Sequence, residues 1–240
     1  MSVDKPQGLF VTGTDTGVGK TLVSSALSLF LRERGIDVGV MKPAETGIDD
    51  TSQLGPDAQL LQWASCSTDP AEQICPYRFK APLAPAVAAS KEQVRINYSD
   101  LLDAARALIE RHQFTIIEGA GGLMVPLAGG LLMADLARDL KLPLLVVTRS
   151  NLGTINHTLL TLFTARTMEL PVAGYLINRM PAVPGLAEET APHSLASLTT
   201  EDLLGVLTQV EGNDREKSKV LAKEFAALPT LPLLKQHLPL

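Results

Sequence analysis

Short apolar runs alternate along the chain with longer stretches in which apolar residues recur every three or four positions. The runs indicate buried strands, and the recurring positions indicate helices with one apolar face. Such alternation is typical of a parallel sheet with helices on both faces. The predicted strands are Gly8–Gly13, 37–43, Phe114–Ile117, 142–150 and 171–180. The predicted helices are Lys20–Arg34, 57–65, Ser99–His112, 132–140 and 151–170. The pattern therefore predicts an α/β fold with a mostly parallel central sheet.

The remaining segments carry weaker signals. Residues 45–56 are polar and rich in turn formers, and residues 70–92 hold several prolines, so both are predicted as irregular connections. The tail from Ala182 contains two amphipathic segments, Glu201–Val210 and Asp214–Leu228, without evident chemistry. Because there is no internal repeat and no linker-like stretch, we predict one domain over residues 1–240.

Charge and composition exclude several function classes. The net charge is −5 and aromatic residues make up 4% of the chain, which disfavours both phosphate-backbone binding and base stacking. Cys66 and Cys75 fit no metal motif and predict reduced thiols. No apolar run is long enough to cross a bilayer, and Met1–Pro6 lacks the apolar region of a signal peptide. We expect a cytoplasmic protein with neither nucleic acid nor membrane as partner.

The glycine-rich stretch from Gly13 to Thr21 directly follows the first predicted strand and opens the first predicted helix. This context surrounds an anion with backbone N–H groups and the positive end of a helix dipole. Lys20 would reach the terminal phosphates, and the Thr21 hydroxyl would bind Mg²⁺. The usual spacing places a glycine where this chain has Thr14, so the loop is one residue longer. A nucleotide site is favoured over a tight turn with an ordinary surface lysine.

Acidic residues near predicted strand and helix ends are candidate metal ligands. Glu118 ends a buried run and is followed by Gly119, Ala120 and Gly121, which allow a sharp turn beside a ligand. The alternative is a surface acid before a flexible turn. Asp57 follows Gly55-Pro56 at the start of a predicted helix. The residue pattern leaves open whether Asp57 caps that helix or binds a metal.

Lys42 ends the second predicted strand, directly before a proline. It would therefore enter the same crevice as the glycine-rich loop, where a second cation suits phosphoryl transfer. A strand-end lysine in solvent is the alternative.

The stretch from Ser150 to His157 lies between a predicted strand and a predicted helix. Gly153 and the N–H groups after it could hold a carboxylate at the helix N-terminus. His157 is more simply explained as a packed or surface histidine than as a catalyst.

Together, six motifs resemble the dethiobiotin synthetase family, in its order and spacing, over most of residues 8–180. They are FVTGTDTGVGKT, KPAETG, GPDAQLL, IIEGAGGLMVPL, LPLLVVTRSNLGTINHTLLT and GYLINRM. The longer loop with Asp15-Thr16 inside it is the most specific of them. The resemblance implies a three-layer α-β-α P-loop NTPase-like fold, and ATP and Mg²⁺ as cofactors. It implies a ligase that closes 7,8-diaminopelargonic acid with CO₂ to dethiobiotin, through a carbamate and a carbamic–phosphoric anhydride.

The resemblance also implies roles for individual residues. Lys42, Lys20 and Thr16 would be catalytic, and Thr21, Asp57 and Glu118 would bind Mg²⁺. The substrate would contact Thr46 and the junction of Gly153, Thr154, Ile155 and Asn156, the latter from the neighbouring subunit of a homodimer. The nucleotide would contact Gly13, Asp15, Gly17, Val18, Gly19, Lys20, Thr21, Leu22, Asp57, Glu118, Gly119, Ala120, Gly121, Asn178 and Arg179, with Asn178 reading the adenine.

The resemblance thins after Arg179, and the chain is divergent from about residue 182. Where the family commonly has Gly-x-Ile-Pro near the base, this chain has Gly205-Val206-Leu207-Thr208. We therefore hypothesise a looser nucleotide selectivity.

Two rival functions share the loop. A cobyrinic-acid-type amidase would need a glutaminase portion with a nucleophilic cysteine, for which the chain is too short. A partition-type ATPase that binds DNA would need a basic face, which the acidic balance disfavours.

Overall fold

A computed structural model describes residues 7–240, so the expectation about Met1–Pro6 lies outside the described residues. The strands are β1 (Gly8–Gly13), β2 (Val38–Met41), β3 (Ala44–Thr46), β4 (Tyr77–Phe79), β5 (Phe114–Glu118), β6 (Pro126–Ala128), β7 (Leu131–Leu132), β8 (Leu144–Arg149), β9 (Val172–Met180) and β10 (Leu203–Thr208). The helices are α1 (Lys20–Arg32), α2 (Pro56–Ser65), α3 (Ala71–Ile74), α4 (Pro85–Lys91), α5 (Tyr98–Arg111), α6 (Met133–Leu140), α7 (Thr154–Thr167), α8 (Leu186–Leu198), α9 (Asp214–Ala227) and α10 (Leu231–Leu234), followed by a 3₁₀ turn at Lys235–His237.

Six strands form the central sheet, in the order β10-β9-β8-β1-β5-β2. Every neighbouring pair in it is parallel, which confirms the predicted α/β class. β1 lies between β5 and β8, while the strand that follows it in sequence, β2, lies at the sheet edge. The chain therefore reverses direction across the sheet next to β1, and ligands bind in the crevice that such a reversal leaves at the carboxyl ends of the strands.

The central strands are buried on both faces. In β1, Leu9 and Val11 contact one apolar layer, and Phe10 between them contacts the other. This alternation follows from the two-residue period of a strand. Residues of α1, α2, α9 and α10 cover the first face, and residues of α4, α5, α6, α7 and α8 cover the second. The result is the three-layer α-β-α architecture expected from the sequence.

The prediction of residues 70–92 as irregular was wrong. This segment contains α3, β4 and α4, and β4 pairs in parallel with β3, so residues 44–46 are not simply a turn either. Prolines had suggested loops, but Pro85 occupies the first turn of α4, where its missing N–H costs no hydrogen bond. In the tail, the amphipathic segments correspond to β10 and α9, whereas α8 has no counterpart in the sequence analysis.

Candidate nucleotide and substrate site

The glycine-rich loop joins β1 to α1 at the carboxyl edge of the sheet. Gly19 precedes α1 in a left-handed conformation with φ of 95°, and a Cβ there would collide with the Asn178 amide. Glycine is therefore required at this position for both reasons. Lys20, the first residue of α1, is buried, and its Nζ donates to the Asp15 carbonyl oxygen at 3.2 Å. The loop thus folds back over the lysine that it carries.

A cluster of charged side chains, buried except for Asp57, lies beside this loop. Lys42 Nζ lies 2.6 Å from Glu118 Oε1 and 2.9 Å from Asp57 Oδ2. The Thr21 hydroxyl donates to the same Glu118 oxygen at 2.8 Å. Lys42 is 4% exposed and Glu118 is fully buried, so neither is the solvent-exposed side chain that the sequence had left possible. Strand ends β2 and β5 and helices α1 and α2 bring these four residues together.

The two lysines differ in their electrostatic environment. Burial alone would lower the pKa of Lys42, but the adjacent carboxylates of Glu118 and Asp57 raise it above its ordinary value. Burial lowers the pKa of Lys20, and this effect outweighs the attraction of the more distant Glu118. The charge of Lys42 is therefore stabilised by two adjacent carboxylates, whereas Lys20 has no carboxylate within ion-pair distance among the described residues to offset its burial.

The donor set fits Mg²⁺. Glu118 Oε2 is buried and has no hydrogen-bond partner among residues 7–240, so one carboxylate oxygen is free to bind a cation. The carboxylates of Glu118 and Asp57 and the Thr21 hydroxyl are the hard oxygen ligands that this ion prefers. No group of three or more His, Cys, Asp or Glu side chains suited to a metal occurs in the described part of the chain. Mg²⁺ commonly takes few protein ligands and completes its coordination with water and phosphate oxygens.

A cleft of about 790 Å³ opens over this cluster. The sequence-predicted residues that line it are Thr16, Gly17, Gly19, Lys20, Thr21, Leu22, Lys42, Thr46, Asp57, Glu118, Ala120, Gly121 and Arg179. The two lysines predicted to contact phosphate, the three predicted metal ligands and Thr46, predicted to contact the substrate, thus face one cleft. Gly13, the last residue of β1, and Gly119, directly after β5, are buried and do not line the cleft.

Glu45 is a residue of the site to which the sequence analysis gave no role. Its carboxylate oxygens accept the N–H groups of Asp57, at 2.8 Å, and of Ala58, at 3.0 Å. Glu45 therefore supplies the cap at the start of α2, so the Asp57 side chain does not have the capping role, and metal binding by Asp57 stays a prediction. The sequence around α2 does not reveal this cap, because the acceptor belongs to β3 and the donors belong to α2.

A smaller cavity of about 260 Å³ is lined by Leu22, Asn178, Thr208 and Lys217, among other residues. The buried Asn178 amide donates to the Val18 carbonyl oxygen at 3.0 Å, which fixes its orientation. Thr208 donates its N–H and its hydroxyl to the Glu224 carboxylate. The position where the family commonly has proline is therefore a polar residue held by α9.

The junction before α7 does not line the cleft of its own chain. Gly153 has φ of 96° and lies outside the helix, whose first residue is Thr154. The Thr154 hydroxyl donates to the Arg149 carbonyl oxygen and contacts the Thr148 hydroxyl at 2.9 Å, so its hydrogen bonds lie within its own chain. On the outward face of the same region, Leu152, Leu160 and Phe163 are 84%, 56% and 66% exposed. His157 contacts Arg149 through Nδ1 at 3.1 Å, as expected for a packed residue.

A parallel sheet with a Gly-Lys-Thr loop between its central strand and the following helix defines a P-loop nucleotide-binding protein. A sequence profile described as an AAA domain matches residues 7–217. The chain is 47% identical over 226 residues to the ATP-dependent dethiobiotin synthetase BioD of Anaeromyxobacter dehalogenans strain 2CP-C, which covers 92% of this chain and 98% of that one. It is 40% identical over 227 residues to the protein of the same name from Bacillus subtilis subsp. natto, covering 94% and 97%. The chain belongs to the ATP-dependent dethiobiotin synthetase family.

Solved structures of more distant proteins share the fold. A putative plasmid partition protein from Borrelia burgdorferi B31 bound to AMPPNP superposes with a TM-score of 0.58 at 14% identity, covering 98% of this chain and 100% of that one. At that identity the likeness concerns the fold alone. No helix within residues 7–240 combines the length and apolar character needed to span a membrane.

Proposed function

We propose that this protein closes the ureido ring of dethiobiotin from 7,8-diaminopelargonic acid, CO₂ and ATP, as a single domain acting in the cytoplasm. The observation that carries the proposal is the buried Lys42, placed between Glu118 and Asp57 beside the Lys20 loop. Family membership supports the same reaction, because the relatives named above are ATP-dependent dethiobiotin synthetases.

The reaction needs three bond-forming steps. One substrate amine attacks CO₂ and loses a proton, which gives a carbamate. A carbamate oxygen then attacks the γ-phosphorus of ATP, and the bond from that phosphorus to the β–γ bridging oxygen breaks, so ADP leaves. The second amine attacks the carbonyl carbon of the resulting carbamic–phosphoric anhydride, the C–O bond to phosphate breaks, and the amine proton is lost. The products are the cyclic urea, ADP and phosphate.

The second of these steps is phosphoryl transfer, in which positioning and charge stabilisation dominate catalysis. Lys20 and Lys42 would both stabilise the charge on the γ-phosphate, and Thr16 would contact the reacting phosphate from within the longer loop. Thr21, Asp57 and Glu118 would hold Mg²⁺, which neutralises phosphate charge when it is bound. Asn178 would read the base from the smaller cavity, beside Leu22 and Arg179.

The substrate would be held by two subunits. Thr46 lines the cleft and would contact the amines. The N–H groups at Gly153–Asn156 would bind the substrate carboxylate in the cleft of the partner, since a helix N-terminus attracts anions. The exposed apolar side chains Leu152, Leu160 and Phe163 next to this junction support a homodimer interface there.

The decisive measurement is phosphate release with 7,8-diaminopelargonic acid, bicarbonate, Mg²⁺ and ATP, followed by detection of dethiobiotin. We expect one phosphate for each dethiobiotin formed. Phosphate release that does not depend on the diamine would overturn the proposal.

A further inference from the structure

The cap of helix α2 comes from another element of the fold. α2 begins after Gly55, which has no side chain and so cannot donate or accept a capping hydrogen bond through one. The two N–H groups at its start are instead accepted by the two oxygens of Glu45, which belongs to β3. A negatively charged carboxylate at this position is also stabilised by the positive end of the helix dipole. Glu45 is therefore tied to the helix through both of its oxygens.

This arrangement is enclosed. Glu45 is 6% exposed, and a Cβ at position 55 would collide with its carboxylate. Gly55 thus leaves the space in which Glu45 approaches the backbone. Because the carboxylate is buried and both oxygens are engaged, it has little freedom to adopt another position.

The residue held by this contact is Asp57. Its N–H is one of the two donors, and its side chain reaches Lys42 at 2.9 Å. The Asp57 carboxylate is 42% exposed, and its side-chain partners are Lys42 and Thr21. Its position depends on where the first turn of α2 is fixed.

We infer that Glu45 is a positioning residue for Mg²⁺ binding, which acts by fixing the first turn of α2 and thereby the Asp57 carboxylate. This inference rests on the proposed function, in which Asp57 is a ligand of the metal. Only a carboxylate of this length serves both donors: glutamine has one acceptor oxygen and an NH₂ group that would face the other N–H, and aspartate is one methylene shorter.

The test uses Mn²⁺ as the probe, with a non-hydrolysable ATP analogue, and follows free Mn²⁺ by electron paramagnetic resonance. Outer-shell partners of metal ligands typically contribute 10–100-fold to affinity, so we expect Glu45→Gln and Glu45→Asp each to weaken Mn²⁺ binding by roughly tenfold or more. Retained affinity in Glu45→Asp alone would assign the effect to charge rather than to position and would overturn the inference. Retained affinity in both variants would overturn it as well.

Two further variants separate the possible failures. Asp57→Asn tests the metal ligand itself: if it leaves Mn²⁺ affinity unchanged, the proposed function is wrong at this residue, whatever Glu45 does. If it weakens binding and the Glu45 variants do not, only the positioning role fails. Asn97→Ala removes the cap of α5, where Asn97 accepts the Ser99 N–H at 3.2 Å, away from the cleft. It should lower the urea midpoint, read from the single tryptophan Trp63, without changing Mn²⁺ affinity.

Discussion

Lys42 and Glu118 form a buried ion pair with 2.6 Å between Nζ and Oε1, at the point where β2 and β5 end side by side. The strands are paired in parallel register from Val38 and Phe114 onward, so the sheet itself sets this distance. The ammonium group of Lys42 therefore has two roles. It neutralises the buried Glu118 carboxylate in the folded protein, and it would contact the transferred phosphoryl group in the proposed reaction.

We expect Lys42→Ala to lower both activity and stability. The substitution removes a cation from the proposed reaction centre, so kcat should fall by at least about 1,000-fold. It also leaves the Glu118 carboxylate buried and uncompensated, which should reduce the free energy of unfolding by about 3 kcal/mol. Phosphate release and urea unfolding measure the two effects. Lys223→Ala, at an exposed position of α9, serves as control and should change neither.

Lys20→Ala should separate these two quantities. Its activity should fall as steeply as that of Lys42→Ala, because Lys20 opens α1 at the phosphate-binding loop. Its stability should stay within about 1 kcal/mol of wild type or rise, since burial lowers the pKa of Lys20 and its hydrogen-bond acceptor is a neutral carbonyl. A loss of stability as large as that of Lys42→Ala would contradict this difference between the lysines.

Nucleotide selectivity should be loose and should depend on Thr208. Because Glu224 holds the N–H and the hydroxyl of Thr208, this residue differs from the proline common in the family. At saturating diamine, we expect the rates with ATP, CTP and GTP to agree within roughly tenfold, since Thr208 replaces the proline common in the family beside the cavity that Asn178 lines. Thr208→Pro should favour ATP, and Thr208→Ser should behave as wild type. Strict ATP dependence of the wild-type enzyme would refute the hypothesis.

A charge on the outward face of α7 should produce a monomer. Phe163→Glu would place a carboxylate in the proposed apolar interface, so light scattering should give a single-chain mass. Activity with the diamine should be lost while binding of an ATP analogue persists, because the carboxylate-binding junction belongs to the partner. Val220→Glu, at a 46% exposed position of α9 in the opposite layer, should remain dimeric and active. A dimeric and active Phe163→Glu would place the interface elsewhere.

Acid should destabilise the protein partly through Asp69. Burial alone would raise the pKa of this carboxyl group, but hydrogen bonds from Ser67 and Arg111 and the nearby His112 lower it below its ordinary value. A lowered pKa in the folded state contributes stability above the unfolded value and loses it as pH falls through the folded one. Asp69→Asn should therefore be less stable at pH 7 by about 1–3 kcal/mol, and the difference should shrink below roughly pH 4. Urea titrations from pH 3 to 8 measure it, and a constant difference would contradict this origin.

Five strands of the central sheet could be predicted, because each contains a continuous apolar run, such as Leu144–Val147, bounded by turn formers. The sixth, β10, was recognised only as an amphipathic segment. Elements stabilised by distant contacts gave no such signal. β3 and β4 pair with each other although two helices separate them in the chain, and each has only three residues. Helix α8 buries mainly Ala191 and Leu195 and contains Pro192, so its periodicity is weak.

Much of the candidate site could also be anticipated, because Lys20, Thr21, Lys42 and Glu118 each stand at the end or start of a recognisable element. Their convergence on one cleft follows from the parallel order of β1, β2 and β5. The role of Glu45 could not be derived in this way. Its partners are backbone N–H groups, which no residue type in the sequence reveals.

The segment from Lys42 to Thr46 carries a cation, the α2 cap and a cleft hydroxyl within five residues. Because side chains alternate along extended backbone, inserting or deleting one residue between Lys42 and Glu45 would reverse the facing of Lys42 relative to Glu45 and Thr46. Substitutions at Pro43 and Ala44, which lie between these positions, should therefore be tolerated better than a change in length. Natural variation in this protein should preserve the spacing of these positions even where the residues between them differ.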